Sequence, residues 1–282
     1  MVKSKTQIKP RLTLLGAGPG DEELISVKGL KAIKKARVIL YDNLANKDLL
    51  SHASPNCLCI NVGKRYGGKQ CSQEWINEQI VQSAQQHGNV LRLKGGDPFI
   101  FGRGFEEIEV ARKHGIETEI IPGISSSIGV PSVAGLPLTI RGVAESFWVV
   151  TGTTKDGNVS SDLYHASHST ATVVVLMGMH QLGRIVETFT LAGKEKQPIA
   201  IIQEGSTTKE RCVVGQINTI MRLVQEHRFS SPAIIVIGEV VRHARESIRN
   251  VVAVAMDGVK MEVDLHTTEK KYEYTLSGLS KT

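Results

Sequence analysis

Cysteine is scarce, with four in 282 residues, which excludes a disulfide-stapled scaffold. Cys57 and Cys59 stand as C-x-C, too close for a C-x-x-C metal knuckle, while Cys71 and Cys212 stand alone. All four read as small buried or half-buried thiols. Aromatic residues make up only 5% of the chain, and neither an aromatic-rich binding strand nor a Lys/Arg cluster occurs. That argues against an RNA-binding module built on base stacking. No apolar run approaches the ~20 residues of a membrane span. The basic start MVKSKTQIKPR leads only into LTLL, with no signal-peptide core. A cytoplasmic protein with no membrane contact is expected. Histidines 114, 165, 168 and 180 show no paired metal spacing, so no metal is expected. Neither a G-x-x-x-x-G-K-[ST] phosphate loop nor a solenoid repeat is present.

What is present is a globular composition, 41% hydrophobic and 22% charged, with an excess of glycine. The 27 glycines exceed the usual ~7% and have no period, so they point to glycine-built loops rather than collagen. The net charge of +6 favours an acidic partner: nucleic acid, a phosphorylated ligand or a carboxylate-rich small molecule.

Short apolar runs alternate with amphipathic stretches. Strands are expected at Leu12–Leu15, Arg37–Tyr41, Leu58–Val62 and Val90–Leu93, with helical stripes at Leu24–Ala36 and Gln73–Gln86. That order implies a mainly parallel sheet covered on both faces. Gly123–Gly142 reads as loops around one short helix. The pattern then restarts, with strands at Phe147–Thr151, Thr172–Met177, Pro198–Gln203, Arg211–Val214 and Ala233–Gly238. Helices are expected at His180–Ala192 and Ile217–His227. The expected organisation is therefore α/β, with one domain over 1–142, a second over 143–250, and an extension over 251–282 that is either an edge hairpin or a tail.

Two loops carry the chemical signal. GAGPGD at Gly16–Asp21 resembles a dinucleotide fingerprint, but Asp21 occupies the third glycine position and Pro19 removes a backbone donor. A nicotinamide cofactor is thus disfavoured, and a tight strand-to-helix turn with Asp21 near the helix start is the plain alternative. The string KGGDPFIFGRG at Lys94–Gly104 packs four glycines, a carboxylate, two aromatics and two cations together. Its paired glycines let backbone approach a ligand, and Asp97 can accept from an ammonium or a ribose hydroxyl. Arg103 with Glu106 and Glu107 also suits an ordinary helix-start ion pair.

Taken in order, GAGPGD, YDNL (Tyr41–Leu44), VGKR (Val62–Arg65), RLKGGDPFIFGRG (Arg92–Gly104), PGISS (Pro122–Ser126), GLPLTIRG (Gly135–Gly142), LMGM (Leu176–Met179) and PAIIVIGEVV (Pro232–Val241) resemble the tetrapyrrole methylases. Within them, the nearest likeness is to the branch that methylates uroporphyrinogen III. The resemblance implies the tetrapyrrole methylase fold, two α/β domains with an interdomain cleft, in a homodimer. It implies a C-methyltransferase that uses S-adenosyl-L-methionine (SAM), releases S-adenosyl-L-homocysteine, and makes precorrin-2 from uroporphyrinogen III for siroheme or cobalamin. By matching motifs it assigns SAM to Pro19, Gly95, Gly96, Asp97, Ile100, Ser125, Ser126, Met177, Gly205 and Ala233. Arg103, Asp42 and Lys64 would be catalytic, with Asp42 and Lys64 as proton acceptor and donor. Arg103, Glu106, Arg141 and Met177 would meet the tetrapyrrole. The chemistry agrees: a multiply carboxylated substrate needs a basic wall, and a methylated ring must lose a proton to a base. Ile140, Thr153 and Phe105 depart from the family pattern. Alternatives are a methyltransferase for a later precorrin or cobalt-precorrin, and an RNA-binding or RNA-modifying protein.

Overall fold

A computed structural model of the chain describes residues 9–63, 71–256, 259–263 and 270–274. It divides into two compact units, 1–126 and 127–282.

The first unit is built on strands β1 (Arg11–Gly16), β2 (Val38–Tyr41), β3 (Leu58–Asn61), β4 (Asn89–Lys94) and β5 (Glu117–Ile121). They form one sheet in the order β3-β2-β4-β1-β5, and every pairing is parallel. Between them run helices α1 (Val27–Lys35), α2 (Gln73–His87) and α3 (Gly104–Lys113). The sequence marks their ends. Ser26 and Ser72 cap α1 and α2 by accepting from the N–H groups of Gly29 and Trp75. Gly88 closes α2 at φ 81°, a left-handed turn that favours glycine. Alternating strand residues feed two cores. Leu12, Leu14, Val38 and Leu40 pack with Ile80 and Ile108 from α2 and α3 on one face. Leu15, Ile39, Leu91 and Leu93 pack with Ile33 of α1 on the other.

The second unit opens with helix α4 (Ser126–Val133), the short helix expected within Gly123–Gly142, and contains strands β6 (Phe147–Thr151), β7 (Thr172–Leu176), β8 (Pro198–Gln203), β9 (Arg211–Gln216), β10 (Ala233–Ile237), β11 (Val251–Met256), β12 (Val259–Val263) and β13 (Lys270–Tyr274). Helices α5 (Asp162–His168), α6 (Leu182–Leu191), α7 (Ile217–Glu226) and α8 (Glu239–Ala244) cover it. The sheet order is β13-β12-β11-β9-β8-β10-β7-β6. Only β6–β7 and β9–β11 pair in parallel, and the other pairings are antiparallel. A restart of the first unit's parallel pattern is therefore not what forms.

The unit boundary falls ahead of the expected 142/143 division. Val130, Ala134 and Leu136, from the glycine- and proline-rich stretch, are buried in the second unit's core beside Val236 and Val240. Beyond 250, the edge-hairpin alternative is what forms, and it follows a strand that belongs to the core. Strand β11 is buried, and Val252, Ala253 and Ala255 join the core against α7. The hairpin β12–β13 then ends the sheet.

Candidate functional site

In an open parallel sheet the loops beyond the strand carboxyl ends form the natural ligand edge. Here the loops after β2, β4, β1 and β5, four adjacent strands, carry Asp42, Gly95–Gly104, Gly16–Asp21 and Pro122–Ser126. They are joined by backbone. Gly96 N–H donates to the Gly18 carbonyl at 2.7 Å and Gly18 N–H returns to Gly96 at 3.3 Å. A Cβ on Gly16 would lie 2.5 Å from the Gly123 nitrogen and 2.6 Å from the Gly96 oxygen. A Cβ on Gly123 would collide with the same Gly96 oxygen. One on Gly95 would press Leu44 at 2.8 Å. Only glycine permits that approach. Gly16 and Gly123 lay outside the expected site residues, although both stand in the quoted motifs.

The first loop has its own uses for the groups a nucleotide would need. Gly18 N–H is committed to Gly96, and Asp21 accepts from Glu23 N–H at 2.9 Å at the start of a short helical turn.

Asp97 brackets two loops. Its Oδ1 accepts from Phe99 N–H at 2.8 Å and its Oδ2 from Gly123 N–H at 3.1 Å. Beyond it Phe99, Ile100 and Phe101 are exposed apolar residues, and Phe101 and Arg103 both sit in the left-handed region, at φ 51° and 58°. Strained residues of this kind persist where the surroundings hold them, commonly at functional sites. Arg103 faces solvent and holds Glu106 in a fork, Nε to Oε1 at 3.0 Å and Nη2 to Oε2 at 2.6 Å. Those bonds push the Arg103 guanidinium further above its ordinary value. That pairing favours the charged form.

Asp42 follows β2. Its Oδ1 accepts from the N–H groups of Leu44 and Ala45, both at 3.1 Å, and its Oδ2 lies 3.4 Å from Arg92 Nη2. Arg92 was not among the expected site residues. It is only 2% exposed, on β4, and also donates to Glu107 Oε1 at 3.3 Å and to the carbonyls of Leu93 at 2.8 Å and Leu40 at 3.4 Å. Lys94 Nζ meets the same Glu107 oxygen at 3.0 Å. Burial, with the adjacent Arg92 charge second, holds the Lys94 ammonium below its usual range. Glu107 is fully buried, and its Oε2 has no hydrogen-bond partner among the described residues. The sequence signal was there: two cations at i and i+2 in an otherwise apolar strand. Lys64 lies outside the described residues.

In the second unit, β8, β10 and β7 are neighbours, and antiparallel pairing puts the end of β7 and of β8 beside the start of β10. Met177, Gly205 and Ala233 therefore lie along one edge of this sheet. Met177 is half exposed, at φ 57°, and its carbonyl accepts from the Thr153 hydroxyl at 2.9 Å. Thr153, one of the departures from the family pattern, thus braces a strained residue. Gly205 abuts Val130 of α4, whose Cγ2 would stand 2.9 Å from an added Cβ. Arg141 is exposed at the tip of the turn that Ile140 and Ala144 close. Among the described residues, no cluster of His, Cys, Asp and Glu could hold a metal ion, and no helix is long and apolar enough to cross a membrane.

Comparison with known proteins identifies what carries this geometry. The family model for tetrapyrrole (corrin/porphyrin) methylases matches residues 11–221. A uroporphyrinogen-III C-methyltransferase of Methanocaldococcus jannaschii is 45% identical over 82% of this chain and 96% of its own length. A siroheme synthase of Methylobacillus flagellatus is 41% identical over 81% of this chain, which spans about half (49%) of that longer protein. The crystal structure of a Thermus thermophilus uroporphyrin-III C-methyltransferase complexed with S-adenosyl homocysteine superposes with a TM-score of 0.71. Its identity is 37%, over 83% of this chain and 99% of that one. Glycine-joined loops at the carboxyl edge of a parallel sheet, and a match over most of the chain, agree: the chain belongs to the tetrapyrrole methylases.

Proposed function

We propose that this chain is a SAM-dependent C-methyltransferase that converts uroporphyrinogen III to precorrin-2 by two methylations, on the route to siroheme. The observation that carries the reading is the near-complete match to a relative of that activity, 45% identical over 96% of its length.

The residues fit a sulfonium nucleoside better than a phosphate-bearing one. The loops after β1, β4 and β5 meet through Gly16, Gly96 and Gly123, close enough for backbone to line a flat ligand. Asp97 retains lone pairs for hydroxyl or ammonium donors, and Ile100 offers an exposed apolar surface. Pro19, Gly95, Gly96, Asp97, Ile100, Ser125, Ser126, Met177, Gly205 and Ala233 are the residues we assign to SAM by their motifs. Bound there, SAM would supply an electrophilic methyl group for a ring carbon, the electron pair of the broken sulfur–methyl bond staying on sulfur in S-adenosyl-L-homocysteine.

The chain's own work is positioning and proton handling. Arg103, with Glu106 orienting its fork, and Arg141 would hold substrate carboxylates. Attack leaves the ring positively charged until it loses a proton. Arg103 is unsuited to take that proton, since Glu106 strengthens its hold on its own. Asp42 would accept it, and Lys64 would donate where one is returned. Homodimer formation and a cytoplasmic setting belong to the same proposal, and light scattering that shows a monomer at all concentrations refutes the dimer. Incubation with SAM and uroporphyrinogen III, in the presence of a chelator, should yield a dimethylated product by mass and absorbance. Methylation of a later precorrin, with uroporphyrinogen III untouched, would refute the substrate.

A further inference from the structure

We propose that Arg92 is a positioning residue that holds the Asp42 carboxylate for proton transfer, anchored in turn by Glu107. The inference rests on the reading of Asp42 as proton acceptor, and it assigns a role to a buried ion cluster that this reading does not otherwise use.

The geometry is that of a clamp. Asp42 Oδ1 is held by its own turn, through the N–H groups of Leu44 and Ala45. Its Oδ2 is met from beneath the sheet edge by Arg92 Nη2. Arg92 cannot serve as a ligand itself: it is 2% exposed, and its Nε and Nη1 donate to Glu107, Leu40 and Leu93. Register places Arg92 opposite Leu40 on β2 and Leu14 on β1. It thus points to the face covered by α2 and α3, where Glu107 comes down from the first turn of α3. Glu107 N–H is 3.4 Å from the Arg103 carbonyl. One chain of contacts therefore links the two residues proposed to act on the substrate: Arg103 by backbone to Glu107, Glu107 to Arg92, Arg92 to Asp42.

Stability alone does not account for the cluster. Two cations and two carboxylates, Arg92, Lys94, Glu107 and Asp42, share the edge, and well-packed apolar residues commonly serve a core as well or better. A fork reaching two carboxylates at once does what apolar packing cannot, which is to set the direction of one of them.

The test is a double-mutant cycle between Arg92→Lys and Asp42→Asn, read as turnover of uroporphyrinogen III with S-adenosyl-L-homocysteine affinity measured beside it. Lysine keeps the charge but reaches one carboxylate, not both. Arg92→Lys should lower kcat by about 10²-fold, the scale of an ångström misplacement, while KM and S-adenosyl-L-homocysteine affinity stay within about threefold. In the Asp42→Asn background the same change should cost less than about threefold, because the residue it acts through is already gone. Should Arg92→Lys fail to fold, the paired Arg92→Met/Glu107→Met replacement, which removes both charges together, is read against the same limits. Equal losses in both backgrounds, a single-variant kcat within about threefold of wild type, or a parallel fall in S-adenosyl-L-homocysteine affinity would overturn the inference. So would near-normal turnover in Asp42→Asn. A wild-type protein that makes no dimethylated product would instead overturn the proposed function, and the two failures are distinct.

Discussion

Replacing Asp97 by alanine separates a ligand contact from a structural bracket. Both Asp97 oxygens are occupied without any ligand, by Phe99 N–H at 2.8 Å and Gly123 N–H at 3.1 Å. A hydrogen bond to a charged group contributes ~1.5–3 kcal/mol. The Phe99 amide lies in an exposed loop where water replaces the lost partner, so its share is small. The Gly123 amide is partly buried, against backbone that leaves no room for a Cβ, and it has no comparable substitute. Asp97→Ala should therefore cost ~2 kcal/mol in the ligand-free protein, a fall in Tm of ~4–8 °C. Asp97→Asn keeps one acceptor oxygen and should cost about half as much. S-adenosyl-L-homocysteine affinity should fall by roughly tenfold or more in Asp97→Ala, because the loops after β4 and β5 lose their common tie. Denaturant unfolding of the free protein and calorimetric titration measure the two effects separately. If ligand-free stability moves by less than ~0.5 kcal/mol while affinity collapses, Asp97 is a ligand contact alone and the bracket reasoning is wrong.

Three further outcomes follow from the geometry. Arg103→Gly relieves a left-handed backbone and gives up an exposed ion pair, so stability should stay within ~1 kcal/mol of wild type. Product mass should meanwhile show methyl transfer reduced by roughly 10²-fold, and near-normal turnover removes Arg103 from the mechanism. Gly205→Ala drives a Cβ into Val130 and should cost ~1–3 kcal/mol by thermal unfolding. Val130→Ala in the same chain should recover much of it, and no recovery places the cost elsewhere. Glu119 holds Lys28 at 2.6 Å and Arg11 at 2.8 Å, and the Lys28 bond, before the charges, draws its pKa below 4.5. The folded value lies below the unfolded one, so its stabilisation is complete above pH 4.5 and is lost as pH falls through the lowered value. Glu119→Gln should cost under ~1 kcal/mol at pH 7, since the pair is partly solvated. Unfolding curves of the two proteins should converge on acidification, and a gap that persists would contradict the assignment.

Local pattern alone determined much of this protein. Buried runs such as RLTLLG and VILY and the glycine loops after β1 and β4 are short-range signals, and each stands where it was expected; the serines that cap α1 and α2 are signals of the same range. The parallel pairing of the first sheet also follows from them, because strand–helix–strand units join strands that run the same way; their order in the sheet does not. Asp97, Gly95, Gly96 and Arg103 were legible as a cluster because they are contiguous. Tertiary structure decided the rest. PIAIIQ and AIIVI are buried on both faces and look alike whichever way they run. Only packing could make β8 and β10 antiparallel or insert β11 beside β9. The Gly123–Gly142 stretch reads by composition as loops around one short helix, yet Val130 and Leu136 are core, since burial depends on partners far along the chain. Arg92 and Glu107 are fifteen residues apart, and Arg92 and Asp42 fifty. No periodicity spans that distance: strand register and the descent of α3 onto β4 bring these charges together, where low solvent access makes each one depend on the others.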